Sequence, residues 1–297
     1  MRAQSIHPVV ATFSIVGVDL ETGDLGAAVA SKFLAVGAVV PWANAGAGAV
    51  ATQAYANVAY GPDGIALMRE GLSAAQALER LVAADDGRDQ RQVGLVDARG
   101  GAAAYTGASC HAWAGHQTGA GFACQGNILT GPETTAVMAA TFAAKSGALA
   151  DRLLAALEAG DAAGGDRRGR QSAALYVARH EGGYLGANDA FVDLRVDDAA
   201  QPVQELRRLL TLHDLYLGAS AREDTIAIDP SLLRELQEIM RRRGHYRGAI
   251  TGAWDEATER ALMEFVGTEN LEERVDMKAR TIDAPALAFV RKTFGPG

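Results

Sequence analysis

The chain has 297 residues, of which 48% are apolar and 6% aromatic, and its formal net charge is −8. This apolar content excludes an intrinsically disordered chain, and the lack of a Gly-x-y period excludes collagen. No run approaches the ~20 consecutive apolar residues of a membrane-spanning helix, and an acidic chain without a basic stripe argues against nucleic acid as a partner. The first residues lack the apolar core of a secretory signal, so we expect a cytoplasmic globular protein of one large or two modest domains.

The predicted elements begin with a β-hairpin. Apolar runs predict strands over 12–18 and 25–31, joined by the turn Glu21–Asp24. Residues 36–54, rich in Val, Ala and Gly, also favour strand, and a Ser73-x-x-Gln76 capping box begins a helix within 72–81. Further strands are predicted over 92–97 and 102–106, and strand-like sequence continues to residue 127.

Helices and strands then alternate in blocks. An Ala- and Leu-rich stretch predicts a long helix over about 132–159. Strands follow over 172–177 and 191–196, and a helix over 202–217. Blocks of strands separated by blocks of helices favour an α+β fold with antiparallel sheets over repeated βαβ units.

Alanine marks a domain boundary. Of the 60 alanines, 51 precede residue 223 and 9 follow it. The stretch 218–224, Gly-Ala-Ser-Ala-Arg-Glu-Asp, is small and polar, as is typical of a linker. We therefore predict a first domain over residues 1–222, whose small residues allow close packing of layers, and a second domain over 223–297.

Several runs of the first domain together resemble one bacterial family. They are Thr12–Val16, Ala28–Gly37, Ala51–Asn57, Trp113–His116, Gln125–Leu129, Gly164–Ser172, and Asn188-Asp189 with Val192–Val196. In this combination they are similar to the family catalogued as domain of unknown function 1028, over nearly all of 12–217. That family is grouped with the N-terminal nucleophile (Ntn) hydrolases. The resemblance therefore implies a four-layer αββα sandwich that cleaves C–N bonds of a small amide, and it leaves the substrate unspecified.

The resemblance also implies a nucleophile. An Ntn hydrolase uses a Thr, Ser or Cys at the first position of its mature chain, with that residue's own α-amino group as the base. Thr12 opens the first predicted strand, where this nucleophile would lie. Eleven residues precede it, so the mechanism requires cleavage of the Ala11–Thr12 bond. The alternative is that Thr12 is simply a β-branched residue at the start of a strand.

Charged and amide side chains complete the predicted site. Lys32, one of four lysines, closes the second strand, and the hairpin would bring it near Thr12 to stabilise negative charge. The alternative is a solvated charge at a strand end. Five polar residues in two loop-like runs are candidates for binding a substrate amide: Thr52, Gln53, Asn57, Gln125 and Asn127. Alternatively, they satisfy backbone groups of their own loops.

Two further features bear on ligands. The polar run Asp166–Arg170 either clamps a carboxylate or is a solvated turn with self-paired charges. Cys110 and Cys124 lack metal-ligand spacing, and an Ntn site requires no metal and no organic cofactor.

The tail resembles a second known module. Apolar residues at helical spacing over 233–240 and 258–265 flank the loop 244–255. Its pattern, Gly-x-Tyr-x-Gly-x-x-x-Gly-x-Trp, is similar to peptidoglycan-binding-like domains, which implies a small all-α unit with Tyr246, Trp254 and Phe265 in its core. The resemblance implies cell-wall glycan as a partner, with a packing or oligomerisation role as the alternative.

Three hypotheses follow. The first is a cytoplasmic Ntn-type amidohydrolase, in which Thr12 is the nucleophile, Lys32 assists electrostatically, and amide side chains orient a small amide substrate. The second is a non-catalytic binding protein on the same fold. The third is a cell-wall-associated protein anchored to glycan through its tail. We expect a homo-oligomer, because sandwiches rich in small residues commonly assemble.

Overall fold

The computed structural model describes residues 12–218 and 224–295. The chain divides into two compact units, of which the first ends at Leu209 and the second begins at Leu210. This division falls within the helix predicted over 202–217. The predicted boundary at residue 222 and the linker residues 219–223 lie outside the described residues, as do residues 1–11.

Strands and helices alternate in blocks along the first unit. Its strands are β1 (Thr12–Val18), β2 (Leu25–Ser31), β3 (Pro41–Asn44), β4 (Gly48–Ala54), β5 (Arg91–Asp97), β6 (Ala102–Thr106), β7 (Gly115–Gly119), β8 (Phe122–Asn127), β9 (Ser172–Ala178) and β10 (Ala190–Val196). Its helices are α1 (Tyr60–Arg69), α2 (Ala74–Ala83), α3 (Glu133–Ala144), α4 (Leu149–Ala162) and α5 (Pro202–Leu217), and α5 continues into the second unit. The predicted bounds of β1, β2, β6 and α5 are confirmed.

The strands form two antiparallel sheets. The larger sheet has the order β10-β9-β2-β1-β8-β7, and the smaller has the order β3-β4-β5-β6. Helices α3 and α4 contact the larger sheet, and α1 and α2 contact the smaller one. The two sheets contact each other, chiefly through β1, β2 and β8 against β3, β4 and β5. An α+β fold with antiparallel sheets is therefore confirmed.

Small aliphatic residues fill much of the space between the sheets. This core contains Val16, Val18, Val29, Ala51 and Val96, among others. Larger side chains pack between the smaller sheet and its helices, including Tyr60, Ile65, Met68, Leu81 and Leu95. The alanine content of the first unit thus allows the backbones of the two sheets to approach closely.

Two predicted elements differ from the structure. The stretch 36–54 is a 3₁₀ turn at Val36–Ala38 followed by β3 and β4. The long helix predicted over 132–159 is two helices, because Gly147 between them has a φ of 100°, which glycine adopts without steric cost. The capping box is confirmed: the Ser73 hydroxyl accepts from the Gln76 backbone N–H, and the Ser73 N–H donates to the Gln76 side chain.

The second unit combines helices with a small sheet. Its helices are α6 (Pro230–Arg243), α7 (Glu256–Thr268) and α8 (Ala284–Phe294), and its strands β11 (Thr225–Ala227), β12 (Val275–Asp276) and β13 (Thr281–Asp283) have the order β11-β13-β12. The prediction of an all-α tail is therefore wrong, because strands of two or three residues are too short for period-2 alternation to be visible. Tyr246 and Phe265 are buried in the core as predicted, whereas Trp254 packs only partly buried against it.

Candidate functional site

One row of side chains across the larger sheet is polar and buried. The antiparallel register pairs Thr12 with Ser31 and with Asn127, and it pairs Ser31 with Ser172. Directly paired residues project from the same face of a sheet, so these four side chains form one row. All four are at most 2% exposed. We call Ser172, Ser31, Thr12 and Asn127 the first polar row.

A second polar row on the smaller sheet faces the first. The register pairs Gln53 with Gln92, and Gln92 with Thr106. Gln53 donates from Nε2 to the carbonyl oxygen of Thr12 at 3.2 Å, and Asn127 donates from Nδ2 to Gln92 Oε1 at 3.0 Å. The space between the sheets is therefore polar at the end where β1 begins and aliphatic at the other end.

Gln92 fixes the orientation of the other amides. Its Nε2 lies 2.7 Å from the carbonyl oxygen of Gly126 and 3.1 Å from that of Gly115, and carbonyl oxygens can only accept. Its Oε1 must therefore be the acceptor, and it receives Gln53 Nε2 at 2.8 Å and Asn127 Nδ2 at 3.0 Å. Because Asn127 donates from Nδ2 to Gln92, its Oδ1 is available to accept from a different donor.

Two buried amide oxygens of this network have no hydrogen-bond partner among residues 12–218 and 224–295. They are Oδ1 of Asn127 and Oε1 of Gln125. Gln125 donates from Nε2 to Ser14 Oγ at 2.7 Å, and Ser14 in turn donates to Gln53 Oε1 at 2.6 Å. An unpaired buried acceptor costs about 1–3 kcal/mol, so a site that retains two of them has hydrogen-bonding capacity for a ligand.

Thr12 lies in the middle of the first polar row. It is fully buried, and its Oγ1 lies 3.3 Å from Ser31 Oγ. Its carbonyl oxygen accepts from Gln53. A side chain of the smaller sheet thus hydrogen-bonds to the main chain of Thr12. The Thr12 hydroxyl lies among the polar side chains of its own sheet.

Backbone strain accompanies the two rows. Ala54, directly after Gln53, has a φ of 68°, and Ile128, directly after Asn127, has a φ of 52°. A β-branched residue such as isoleucine rarely adopts this left-handed region. Each such residue costs about 1–3 kcal/mol and persists where its surroundings hold it, often at functional sites. Ala54 is the last residue of β4, which carries Gln53, and Ile128 directly follows β8, which carries Asn127.

A short segment connects the strand ends on either side of Thr12. Lys32 is exposed at the end of β2, and its backbone N–H donates to Asp166 Oδ2 at 2.9 Å. The N–H of Arg167 donates to the carbonyl oxygen of Ile128, at the end of β8, at 2.9 Å. Residues 166–167 therefore span from one neighbour of β1 to the other, across the end at which β1 begins.

Thr52 and Asn57 lie outside this network. Thr52 projects from the opposite face of β4 to Gln53, because successive side chains of a strand alternate, and its hydroxyl donates to the Asn57 carbonyl oxygen at 3.1 Å. The side chain of Asn57 donates to Asp85 at 3.2 Å. A hydrogen bond from Arg91 to Asp85 holds the pKa of that carboxyl well below its usual range, so Asn57 contacts a carboxylate.

The sequence predicts loop-like runs for the five polar candidates, although 36–54 and the sequence up to residue 127 also favour strand, and the strand placement is correct for four of them. Thr52 and Gln53 lie in β4, and Gln125 and Asn127 lie in β8, whereas Asn57 alone lies in a loop. Sequence reasoning also missed five members of the polar rows and their network: Ser14, Ser31, Ser172, Gln92 and Thr106. Only Ser14 had a local signal, namely polar residues at alternate positions of an otherwise apolar strand, as in Thr12-x-Ser14.

The first unit is thus a two-sheet α+β body with a buried polar site at the start of a central strand. Residues 12–206 match the family described as "Family of unknown function (DUF1028)". The chain belongs to this family, as its motifs indicated. The crystal structure of protein SPO2555 from Silicibacter pomeroyi, of the same family, is similar to this chain: the identity is 32%, the TM-score is 0.63, and the match covers 69% of this chain and 86% of that one.

Other comparisons concern the second unit and the whole chain. Residues 219–290 match a peptidoglycan-binding-like domain, and a comparison with curated proteins finds no match. Within residues 12–218 and 224–295, no group of three or more His, Cys, Asp and Glu side chains could hold a metal ion. Over the same residues, the helices are all too short or too polar to cross a membrane.

Proposed function

We propose that the chain is an amide-bond hydrolase of the Ntn type, with Thr12 as its nucleophile. The observation that carries this proposal is the position of Thr12 at the start of a central strand, where two buried polar rows converge on it. Its hydroxyl lies 3.3 Å from Ser31 Oγ. The layer contacts also support the proposal. Helices α3 and α4 contact the larger sheet, that sheet contacts the smaller one, and the smaller sheet contacts α1 and α2. An αββα sandwich requires this order of contacts.

The proposed reaction begins with cleavage of the Ala11–Thr12 bond, which frees the α-amino group of Thr12. This amine takes the hydroxyl proton as Oγ1 attacks the carbonyl carbon of the substrate. The tetrahedral intermediate collapses, the C–N bond breaks, and the amine product leaves with that proton. Water then hydrolyses the ester, releasing the acid and restoring the hydroxyl. An α-amino group titrates near pH ~8, which suits a base at neutral pH.

The neighbouring side chains support this reaction in different ways. Gln53 holds the main chain of the nucleophile through its carbonyl oxygen. Asn127 offers its unpartnered Oδ1 to an N–H of the bound molecule. Lys32 supplies positive charge near the start of β1, and Gln125 orders Ser14 beside Gln53. Thr52, on the face of β4 opposite Gln53, and Asn57, in the loop after β4, stay predicted substrate contacts.

Mass spectrometry and two isosteric variants test the proposal. The purified chain is expected to begin at Thr12 and to release 7-amino-4-methylcoumarin from at least one member of a panel of N-acyl amides. Thr12→Val keeps the β-branched shape but removes the hydroxyl, so it abolishes turnover, whereas Thr12→Ser retains activity. Thr135→Val is the matched control, because Thr135 is equally buried but lies on α3. Full activity of Thr12→Val, or of a chain that begins at Met1, would exclude this mechanism.

A non-catalytic binding protein on the same fold is the alternative outcome. It would show neither processing nor turnover, and the unpartnered oxygens would still bind a ligand. A cytoplasmic location and a homo-oligomeric state also remain predictions, which cell fractionation and light scattering would test.

The second unit favours a second candidate function. The match of residues 219–290 to a peptidoglycan-binding-like domain supports binding of cell-wall glycan. Co-sedimentation of the full chain with insoluble peptidoglycan tests this directly, with chitin as the control polysaccharide. If the chain stays in the supernatant at every peptidoglycan concentration, the glycan role is dismissed.

A further inference from the structure

We infer that the site at Thr12 takes a small amide that carries an anionic group, a carboxylate or a phosphate, and that Lys32 and Arg167 bind this anion. The inference rests on the proposed function and adds the class of its substrate. Four basic residues lie at or near the ends of β2 and β8 and in the loop after α4: Lys32, Arg167, Arg168 and Arg170.

Two of these four cations are neutralised within the protein. Arg168 pairs with Asp166 at 2.8 Å, and Arg170 pairs with Asp161 at 2.7 Å. Arg168 therefore follows the self-paired alternative for the run 166–170, whereas Arg170 pairs with a carboxylate of α4. The other two, Lys32 and Arg167, are exposed and form no ion pair with any carboxylate of the described residues. An unpaired positive charge thus remains on each.

The backbone holds Lys32 and Arg167 on either side of Thr12. On β2, Ser31 pairs with Thr12, and Lys32 is the next residue. On β8, Asn127 pairs with Thr12, and the next residue, Ile128, accepts a hydrogen bond from the Arg167 N–H. Adjacent strands lie about 4.8 Å apart, so the ends of β2 and β8 are separated by about 10 Å. Asp166 connects the two residues, because it accepts from the Lys32 N–H and directly precedes Arg167 in the chain.

A second observation at the same place points to a ligand. The unpartnered Oδ1 belongs to Asn127, which is fully buried in the first polar row. An acceptor at this position suits an amide N–H, and two cations at the outer end suit an anion. A small amide whose acyl or amine part bears a carboxylate or phosphate satisfies both sets of groups.

Binding measurements separate this inference from catalysis. Titration calorimetry compares N-acetylglycine, which has an amide and a carboxylate, with the neutral N-acetylglycinamide. We expect tighter binding of the anionic probe, and we expect Lys32→Gln/Arg167→Gln to weaken it by about tenfold in Kd. Lys145→Gln/Arg69→Gln is the matched control, because it removes the same two charges from exposed positions elsewhere in the first unit and leaves the affinity unchanged.

Inorganic phosphate as a competitor identifies the anion. Displacement of N-acetylglycine by phosphate at lower concentration than by acetate supports a phosphate-bearing substrate, and the reverse order supports a carboxylate. Equal Kd values for the two acetylated probes, or equal losses in the two double variants, would overturn the anion site even if amide hydrolysis is found. Conversely, charge-dependent binding that persists in Thr12→Val, with no turnover by the wild-type chain, leaves the anion site standing and removes the hydrolase.

Discussion

Replacing Gln92 with leucine tests whether the buried polar rows are one connected network. The leucine keeps most of the volume but cannot accept from Gln53 and Asn127, and it cannot donate to Thr106 or to the carbonyl oxygens of Gly115 and Gly126. Asn127 Nδ2 then loses its partner, and the two carbonyl oxygens lose a donor. Buried groups left unpaired cost about 1–3 kcal/mol each, and partial relaxation reduces the sum, so we expect a loss of about 2–4 kcal/mol in the free energy of unfolding.

Urea denaturation followed by circular dichroism measures this loss. Gln237→Leu is the matched control, because Gln237 is also fully buried and donates to Thr258 at 2.9 Å, but it lies in the second unit. Both variants should be destabilised, whereas only Gln92→Leu should slow cleavage of the Ala11–Thr12 bond. A loss below about 0.5 kcal/mol for Gln92→Leu, a size ordinary for surface substitutions, would refute the reasoning that Gln92 orders the network.

Three further predictions concern other residues of the first unit. Gly94→Ala would place a Cβ in steric overlap with Gln125 Oε1, so the amide must shift, and we expect about 1–3 kcal/mol of destabilisation in the same denaturation assay. An unchanged midpoint would contradict this. The hydrogen bond from Arg91 lowers the pKa of the Asp85 carboxyl in the folded state. The ionised carboxylate therefore contributes its full stabilisation of the fold above the unfolded-state pKa of about 3.9. This contribution is lost as pH falls from that value through the lower folded-state pKa. The stability difference between wild type and Asp85→Asn should therefore shrink below about pH 4, and a difference that stays constant from pH 7 to pH 2 would disprove this. Ser73→Ala removes the cap of α2 and should cost about 1 kcal/mol by thermal denaturation, with Ser73→Thr retaining stability.

The sequence predicted the elements whose local signals agree with their tertiary surroundings. The first hairpin has apolar strands and a turn with Gly23 at a φ of 78°, and α2 has a complete capping box, so both could be located from residue types alone. The break between α3 and α4 was missed because one glycine in an Ala-rich stretch does not by itself end a helix. The short strands of the second unit were missed because their pairing depends on contacts distant in sequence, such as that of Thr225 with Asp283.

The candidate site was predictable only in part, for a related reason. Thr12, Gln53 and Asn127 could be proposed one by one from motifs, but their association requires the register of five strands in two sheets. Gln92 was missed because a single glutamine at the start of an apolar strand gives no local sign of its role. Its importance follows only from the two carbonyl oxygens and two amides that surround it.

The distribution of polarity between the sheets links the fold to the proposed chemistry. Along β1 the side chains facing the smaller sheet change from Thr12 and Ser14 to Val16 and Val18, and the change occurs within one strand. The aliphatic end supplies the burial that holds the sheets together, because it removes apolar surface from water without unpaired polar groups. The polar end contributes less to stability, since it retains unpartnered amide oxygens and two strained residues. A fold under selection for stability alone would replace these groups, whereas a fold that must bind an amide next to a hydroxyl has a physical reason to keep them.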